Sequence, residues 1–172
     1  PCFIVHPSDT APALAAFGAN VMITGPKGSR SVPVEQLFVL PSADMRRDTV
    51  LASGEIVTEI IVPPQQKGGR SFYRKVRARN SWDFAVAGAA IALAKNGDTV
   101  TSARIVLSGA APIPWRTKAA EDAVTGKRLD AGVIAKAADA AVKGAQPLQH
   151  NGYKVALFKG IIEEELARLA KS

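Results

Sequence analysis

The sequence predicts an α+β fold in which a small first subdomain is followed by a three-stranded antiparallel sheet packed with three helices. Three observations carry this prediction: a strand-like alternation over residues 71–79, a hairpin signal at Asn96-Gly97, and apolar residues at helical spacing after residue 117. With 172 residues, 47% of them hydrophobic, the chain is long enough to bury one core, or two small cores joined by a hinge.

The first part of the chain has the pattern of a short helix, a hairpin and a further strand. Ser8 or Asp9 is a suitable N-cap for the helix, and Gly18 ends its apolar run. Two β-prone segments flank the turn-rich residues 25–29, which predicts a hairpin. The predicted elements are a helix after residue 9, strands over 20–24 and 30–34, a helical turn over 35–40 and a strand over 55–62.

A segment rich in proline and glycine separates two predicted subdomains. Residues 63–69 read PPQQKGG, and two prolines and two glycines in seven residues do not continue a strand. The first subdomain is therefore assigned to residues 1–66 and the second to residues 67–172.

The second subdomain has three predicted strands and then three predicted helices. Residues 71–79 alternate, with Phe72 and Val76 on one face and Tyr73 and Lys75 on the other. The other two strands are joined through Asn96-Gly97, and Thr117 and Asp130 are suitable N-caps. The predicted elements are strands over 71–79, 86–94 and 99–107 and helices over 117–126, 130–141 and 151–169.

The net charge of +7 is concentrated in one segment, because six cations and no acid lie between Lys67 and Arg79. Such a run is either a solvated strand face or a surface for an acidic partner: nucleic acid, an anionic cofactor or another subunit. A nucleic-acid-binding module usually interleaves exposed aromatic residues with its cations, and only Tyr73 shares the cationic face. Nucleic-acid binding therefore stays the weaker alternative.

Motifs for self-contained catalysis are absent from the sequence. Residues 25–29 lack the Gly-Lys-Ser/Thr ending of a Walker loop, and neither His6 nor His150 has metal-ligand spacing. Cys2 is the single cysteine, which excludes an internal disulfide. The apolar run at 86–94 is too short to cross a bilayer, and no membrane segment is expected. Since the chain opens on Pro1, we expect an upstream part to have been removed or left out.

Four segments, in this order along the chain, carry a resemblance to a known family. They are CFIVHPSDTAPAL at 2–14, GEIVTEI at 54–60, YRKVR at 73–77 followed by FA at 84–85, and LSGAAPIPWR at 107–116. Together they resemble the medium, FAD-carrying subunit of molybdenum hydroxylases, the family of carbon monoxide, xanthine and aldehyde dehydrogenases. The resemblance implies that residues 1–66 are the C-terminal part of the FAD-binding domain and residues 67–172 the flavoprotein C-terminal domain.

The resemblance implies an oxidoreductase subunit that is not active as this chain alone. Electrons would pass from a molybdenum cofactor in a large subunit, through 2Fe-2S clusters in a small subunit, to FAD and then to an external acceptor. The glycine-rich loops that hold the FAD pyrophosphate in the family lie in an upstream half of the same flavoprotein, so this segment should hold FAD poorly by itself. A flavin-free structural scaffold is the remaining alternative.

The resemblance also implies four cofactor-binding residues. Asp9 would lie near the ribityl chain, unless it is only a helix cap. Lys75 would lie near the isoalloxazine ring and raise its potential, unless it is only a solvated lysine. Leu51 would touch the ring edge, and Asp83 would lie in the turn near the exposed face of the flavin. The neighbours of Asp83 in that turn, Trp82 and Phe84, are expected in a core or in a subunit contact.

Cys2 matches the last cysteine of an insertion found in the periplasmic-type aldehyde oxidoreductases of this family. There it would be a ligand of an additional 4Fe-4S cluster, whose three other thiolates would come from upstream residues. A buried free thiol is the alternative.

A cytoplasmic location is expected, with periplasmic co-export alongside a partner subunit as the second option.

Overall fold

The computed structural model describes residues 4–171, which form two antiparallel sheets and a group of helices. In chain order the elements are α1 Thr10–Phe17, β1 Asn20–Gly25, β2 Gly28–Pro33, α2 Val34–Leu37, β3 Ile56–Ile61, β4 Gly69–Val76, β5 Ala87–Asn96, β6 Thr99–Ser108, β7 Trp115–Arg116, α3 Lys118–Val124, α4 Ala131–Ala141 and α5 Tyr153–Ala170. The predicted α+β class is confirmed, and Cys2 lies outside the described residues.

The first sheet has three strands in the order β2-β1-β3. β1 and β2 form the predicted hairpin, which closes where Gly25 pairs with Gly28. β1 lies in the middle and buries Val21 and Ile23, whereas every residue of the edge strand β3 is exposed.

The second sheet has four strands in the order β4-β5-β6-β7, one more than predicted. The additional strand, β7, contains only Trp115 and Arg116, which is too short to show a period of two in the sequence. The first strand, β4, ends at Val76 instead of Arg79, because its partner β5 begins at Ala87, opposite Val76. The Asn96-Gly97 signal is confirmed as the hairpin between β5 and β6.

The second sheet is covered on both faces, because residues of β5 and β6 point alternately to two different cores. Ile91 and Ile105 pack with α3, α4 and α5 in the larger core. Their neighbours Ala90 and Val106 pack with α1 and β1 in the smaller core. The two parts of the chain on either side of residue 66 therefore share one central sheet.

An ionic network joins α2 to β6, β7 and α3. Glu35 accepts hydrogen bonds from Arg104 Nη1 at 2.8 Å and Arg116 Nη1 at 3.0 Å. Arg116 also donates from Nε and Nη2 to the two oxygens of Glu121, at 2.8 Å each. Burial opposes the charge on Glu35, but the two arginines outweigh burial and hold the pKa of Glu35 below its ordinary value. Hydrogen bonding to Glu121 raises the pKa of Arg116.

Among residues 4–171, no helix combines the length and the apolar content that crossing a membrane requires.

Candidate functional site

Two of the predicted cofactor-binding residues are in direct contact at the edge between α1 and β4. Lys75 Nζ donates to Asp9 Oδ2 at 2.6 Å, with 22% of the lysine and 43% of the aspartate side chain exposed. This places an ammonium and a carboxylate, both partly open to solvent, where the first part of the chain meets the second sheet. Their roles towards a cofactor stay predictions.

The helix start leaves Asp9 available for this contact. Ser8 Oγ accepts a hydrogen bond from the backbone N–H of Ala11 at 3.0 Å, so Ser8 supplies the cap of α1. Asp9 occupies the N-cap position itself but makes no capping hydrogen bond with its side chain. The interpretation of Asp9 as only a helix cap is therefore wrong, and its carboxylate faces β4.

Tyr73 completes the arrangement and was not among the predicted site residues. Its phenol donates to Asp9 Oδ1 at 2.7 Å, so the two oxygens of Asp9 have different donors. The period-two pattern already placed Tyr73 on the same strand face as Lys75, and this was the available signal. Asp9, Tyr73 and Lys75 are called the junction triad below.

The junction triad stabilises the ionised form of Asp9. Burial alone would raise the pKa of Asp9, but hydrogen bonds from Lys75 and Tyr73 outweigh burial and bring it below its ordinary value. Burial and the hydrogen bond to Asp9 raise the pKa of Tyr73. Near neutral pH the triad therefore contains a protonated phenol beside an ionised carboxylate.

A glycine next to the junction triad allows β4 and β5 to approach closely. Gly88 of β5 pairs with Lys75 and, on its other side, with Ser108 of β6. A Cβ atom at Gly88 would lie 2.8 Å from the backbone oxygen of Arg74, closer than real Cβ contacts. A side chain at Gly88 would therefore displace β4 at the position that carries Lys75.

The other two predicted cofactor-binding residues have no direct contact with the junction triad among the described interactions. Leu51 lies in the loop before β3, is partly buried in the smaller core that also includes Tyr73, and accepts a hydrogen bond on its backbone oxygen from Arg47. Asp83 lies in the loop after β4, 4.0 Å from Arg79 Nε. Their assignment to a cofactor stays a prediction.

The loop between β4 and β5 exposes two large aromatic side chains. Trp82 is 96% exposed and Phe84 is 71% exposed, so a core position within this chain is wrong for both. Trp82 has a φ of 47°, the one positive value outside glycine among the described residues. Arg79 donates to the backbone oxygen of Trp82 at 2.8 Å, which holds the loop in this conformation. The subunit-contact alternative remains for both residues.

The cations of the basic segment point to different neighbours. Lys75 pairs with Asp9, whereas Arg74 faces α5 and lies 3.6 Å from Glu164 and 3.9 Å from Glu165. Arg74 and Lys75, two of the six cations of the segment, are therefore matched by acidic side chains, which weakens the nucleic-acid alternative.

Glu165 is a buried carboxylate beneath β4, on the face opposite the junction triad. Its side chain is 1% exposed, neither oxygen has a hydrogen-bond partner, and the nearest cations are Arg74 and Arg168 at 3.9 Å each. Burial raises the pKa of Glu165, and the two arginines do not offset it. Because the pKa of Glu165 is higher in the folded state than in the unfolded chain, protonation of Glu165 favours folding. The free energy of unfolding therefore falls as pH rises from the unfolded pKa through the folded pKa.

We expect Glu165→Gln to be more stable than the parent at pH 8, with a rise in Tm of roughly 2–4 °C, since the variant carries no buried charge. The gain should shrink as pH falls towards about 4, where an ordinary glutamate protonates. Thermal unfolding from pH 4 to 8 measures this. The control is Glu164→Gln, whose side chain is 45% exposed and whose Tm should stay within the error of the parent. A gain in Tm for Glu165→Gln that does not change with pH would contradict a raised pKa for Glu165.

Three clefts of the surface lie away from the junction triad. They have volumes of about 540, 470 and 400 Å³, and none is lined by Asp9, Leu51, Lys75 or Asp83. In the range 4–171, no three His, Cys, Asp or Glu side chains are grouped as a metal site. The predicted metal role of Cys2 falls outside that range.

Comparison with known proteins gives matches along nearly the whole chain. Residues 71–168 match the family described as CO dehydrogenase flavoprotein C-terminal domain, and residues 2–65 match the FAD binding domain in molybdopterin dehydrogenase. The chain is 33% identical over 167 residues to the aldehyde oxidoreductase FAD-binding subunit of Escherichia coli, covering 96% of this chain and 49% of the relative. It is 31% identical over 166 residues to the carbon monoxide dehydrogenase medium chain of Hydrogenophaga pseudoflava, covering 94% and 56% respectively.

A solved structure gives the same result for the fold. Carbon monoxide dehydrogenase from Hydrogenophaga pseudoflava, in a form that lacks the Mo-pyranopterin moiety of the molybdenum cofactor, superimposes with a TM-score of 0.80 at 30% identity. The superposition covers 91% of this chain and 57% of that chain. The fold is therefore that of a chain of this carbon monoxide dehydrogenase.

The chain belongs to the family of FAD-binding medium subunits of molybdenum hydroxylases, as the resemblance predicted. It spans about half the length of the curated relatives named above, 49% and 56%.

Proposed function

We propose that this chain is the C-terminal part of an FAD-carrying electron-transfer subunit in a molybdenum hydroxylase complex. Residues 1–66 contribute the end of the FAD-binding domain, and residues 67–172 contribute the flavoprotein C-terminal domain. The observation that carries the proposal is the junction triad, which lies where these two parts meet and leaves both charged groups partly exposed.

The residues of the junction triad fit part of a flavin site. The Asp9 carboxylate, 43% exposed, has further lone pairs with which to accept hydrogen bonds from the hydroxyls of a ribityl chain. Lys75 offers a cation beside it. Asp9 and Lys75 would hold the middle of FAD and its ring, with Leu51 and Asp83 proposed at the ring edge and the exposed face.

FAD, when bound, supplies the ability to accept electrons from iron–sulfur centres and pass them to an external acceptor. Lys75 would favour the negatively charged, reduced form of the ring. A unit charge at about 4 Å in an effective dielectric near 20 contributes roughly 4 kcal/mol as an upper figure. Asp9 both orients the Lys75 ammonium and offsets part of its charge.

Partners and compartment are further parts of the proposal. The matched relatives are described as a medium chain and an FAD-binding subunit, which supports assembly with a molybdenum-cofactor large subunit and a small subunit that carries 2Fe-2S clusters. The exposed Trp82 and Phe84 would lie in such a subunit contact. We place the complex in the cytoplasm, with periplasmic co-export as the alternative, and assign Cys2 to an additional 4Fe-4S cluster.

The proposal is tested on the FAD subunit that contains these residues. We expect the parent to purify with flavin absorption. We expect Lys75→Met to lower the flavin midpoint potential by roughly 30–60 mV, the equivalent of up to a tenfold change for a one-electron couple. The control is Lys118→Met, which removes a lysine that is 67% exposed and paired with Asp122 on α3, and which should leave the potential unchanged.

Two results would count against the proposal in different ways. A colourless parent preparation that takes up no added FAD would leave the flavin-free scaffold as the better interpretation. A flavin-loaded Lys75→Met variant with the potential of the parent would remove the tuning role of Lys75 while leaving FAD binding in place.

A further inference from the structure

We propose that Tyr73 is a positioning residue of the flavin site, which fixes the Asp9 carboxylate so that Asp9 in turn holds the Lys75 ammonium in one place. The inference rests on the proposed function. It concerns a residue that the sequence analysis did not assign to the site.

The geometry assigns the two oxygens of Asp9 to two different donors. Tyr73 donates to Oδ1 at 2.7 Å and Lys75 donates to Oδ2 at 2.6 Å. The donors are two residues apart on β4, and therefore project from the same face of one strand. Two donors at fixed spacing define the plane of the carboxylate, whereas one donor leaves it free to turn about its Cβ–Cγ bond.

Tyr73 is the rigid member of the junction triad. Its side chain packs against the smaller core, and its backbone pairs with Ala90 of the central strand β5. Lys75, by contrast, carries its ammonium on a flexible four-carbon stem and depends on its partner for a defined position. The packed Tyr73 ring therefore restricts the Asp9 carboxylate, and the Asp9 carboxylate restricts the Lys75 ammonium.

Loss of the Tyr73 hydroxyl would leave Asp9 with Lys75 as its single side-chain donor. The carboxylate would then be free to turn and would draw the ammonium with it, so that neither group would stay oriented towards a bound flavin. A phenylalanine retains the packed ring, which separates the effect of the hydroxyl from that of the core. The role is one of positioning, because Tyr73 acts through Asp9.

The test uses Tyr73→Phe in the FAD subunit, with the dissociation constant for FAD measured by titration of the deflavinated protein. We expect binding to weaken roughly threefold to tenfold, a smaller loss than that of a direct hydrogen bond to a charged group, because Tyr73 acts on FAD through Asp9. The matched control is Tyr153→Phe, at a tyrosine that is 60% exposed on α5, and it should leave the constant unchanged. Thermal unfolding of both variants checks that the fold is retained.

A double variant distinguishes positioning from a structural role. We expect Tyr73→Phe to weaken FAD binding in the parent but to have no further effect when Asp9→Ala is already present, because alanine offers the Tyr73 hydroxyl no acceptor at this position. An equal loss in both backgrounds would overturn the inference, since the effect would then not pass through Asp9.

The remaining outcomes separate this inference from the proposed function. If Asp9→Ala and Lys75→Met weaken FAD binding but Tyr73→Phe does not, the inference about Tyr73 fails and the proposed function stands. If the parent subunit itself takes up no FAD, the proposed function fails and the inference fails with it.

Discussion

Replacement of Glu121 by alanine is expected to lower the free energy of unfolding by roughly 3–5 kcal/mol, the range for removing one partner of a buried ion pair. The side chain of Glu121 is 2% exposed and accepts two hydrogen bonds from Arg116. It also accepts the backbone N–H of Ile105 at 3.0 Å, so the variant leaves a buried amide without its partner. Denaturant unfolding followed by circular dichroism measures the change.

The neighbouring residue Asp122 supplies the control. Its side chain is 63% exposed and pairs with Lys118 on the surface of the same helix, so Asp122→Ala should change stability by about 0.5 kcal/mol or less. Equal effects of the two substitutions would show that the network around Arg116 does not stabilise the fold.

Leu166→Ala is expected to cost roughly 2–5 kcal/mol, because it removes a fully buried side chain from the larger core and leaves a cavity. Leu166 is 0% exposed on α5 and packs in the cluster that contains Ile105 and Phe158. The expected result is a lower midpoint of unfolding in urea with an unchanged slope.

Leu148→Ala is the matched control for Leu166→Ala. Leu148 lies in the loop before α5 and is 48% exposed, so its removal should cost well under half as much. A loss at Leu166 no larger than the loss at Leu148 would mean that α5 is not anchored through this side chain.

Most of the regular structure could be predicted because local signals were strong. Gly18 ends α1 with a φ of 69°, and Asp130 caps α4 by accepting from Val133 N–H at 2.8 Å, both at the predicted positions. The short strand β7 could not be predicted, since pairing with β6 holds its two residues and no local pattern marks them. The network of Glu35, Arg104 and Arg116 likewise depends on contacts between residues distant in the chain.

The candidate site could be predicted only in part. Asp9 and Lys75 were assigned through resemblance, and they lie 66 positions apart in the chain, so no spacing rule connects them. The cap alternative for Asp9 was wrong because Ser8, one residue earlier, supplies the capping oxygen. Trp82 was expected in a core or a subunit contact, because an aromatic side chain in a sequence shows its hydrophobicity and not its exposure.

The central strand β5 belongs to both hydrophobic cores, which limits partial unfolding of the molecule. Its side chains alternate between the larger and the smaller core, with Ala89 in the first and Ala90 in the second. Neither half of the chain can therefore separate without exposing one side of this strand to water. Amide protons along β5 should exchange with deuterium only through complete unfolding, whereas those of the exposed edge strand β3 should exchange through local opening.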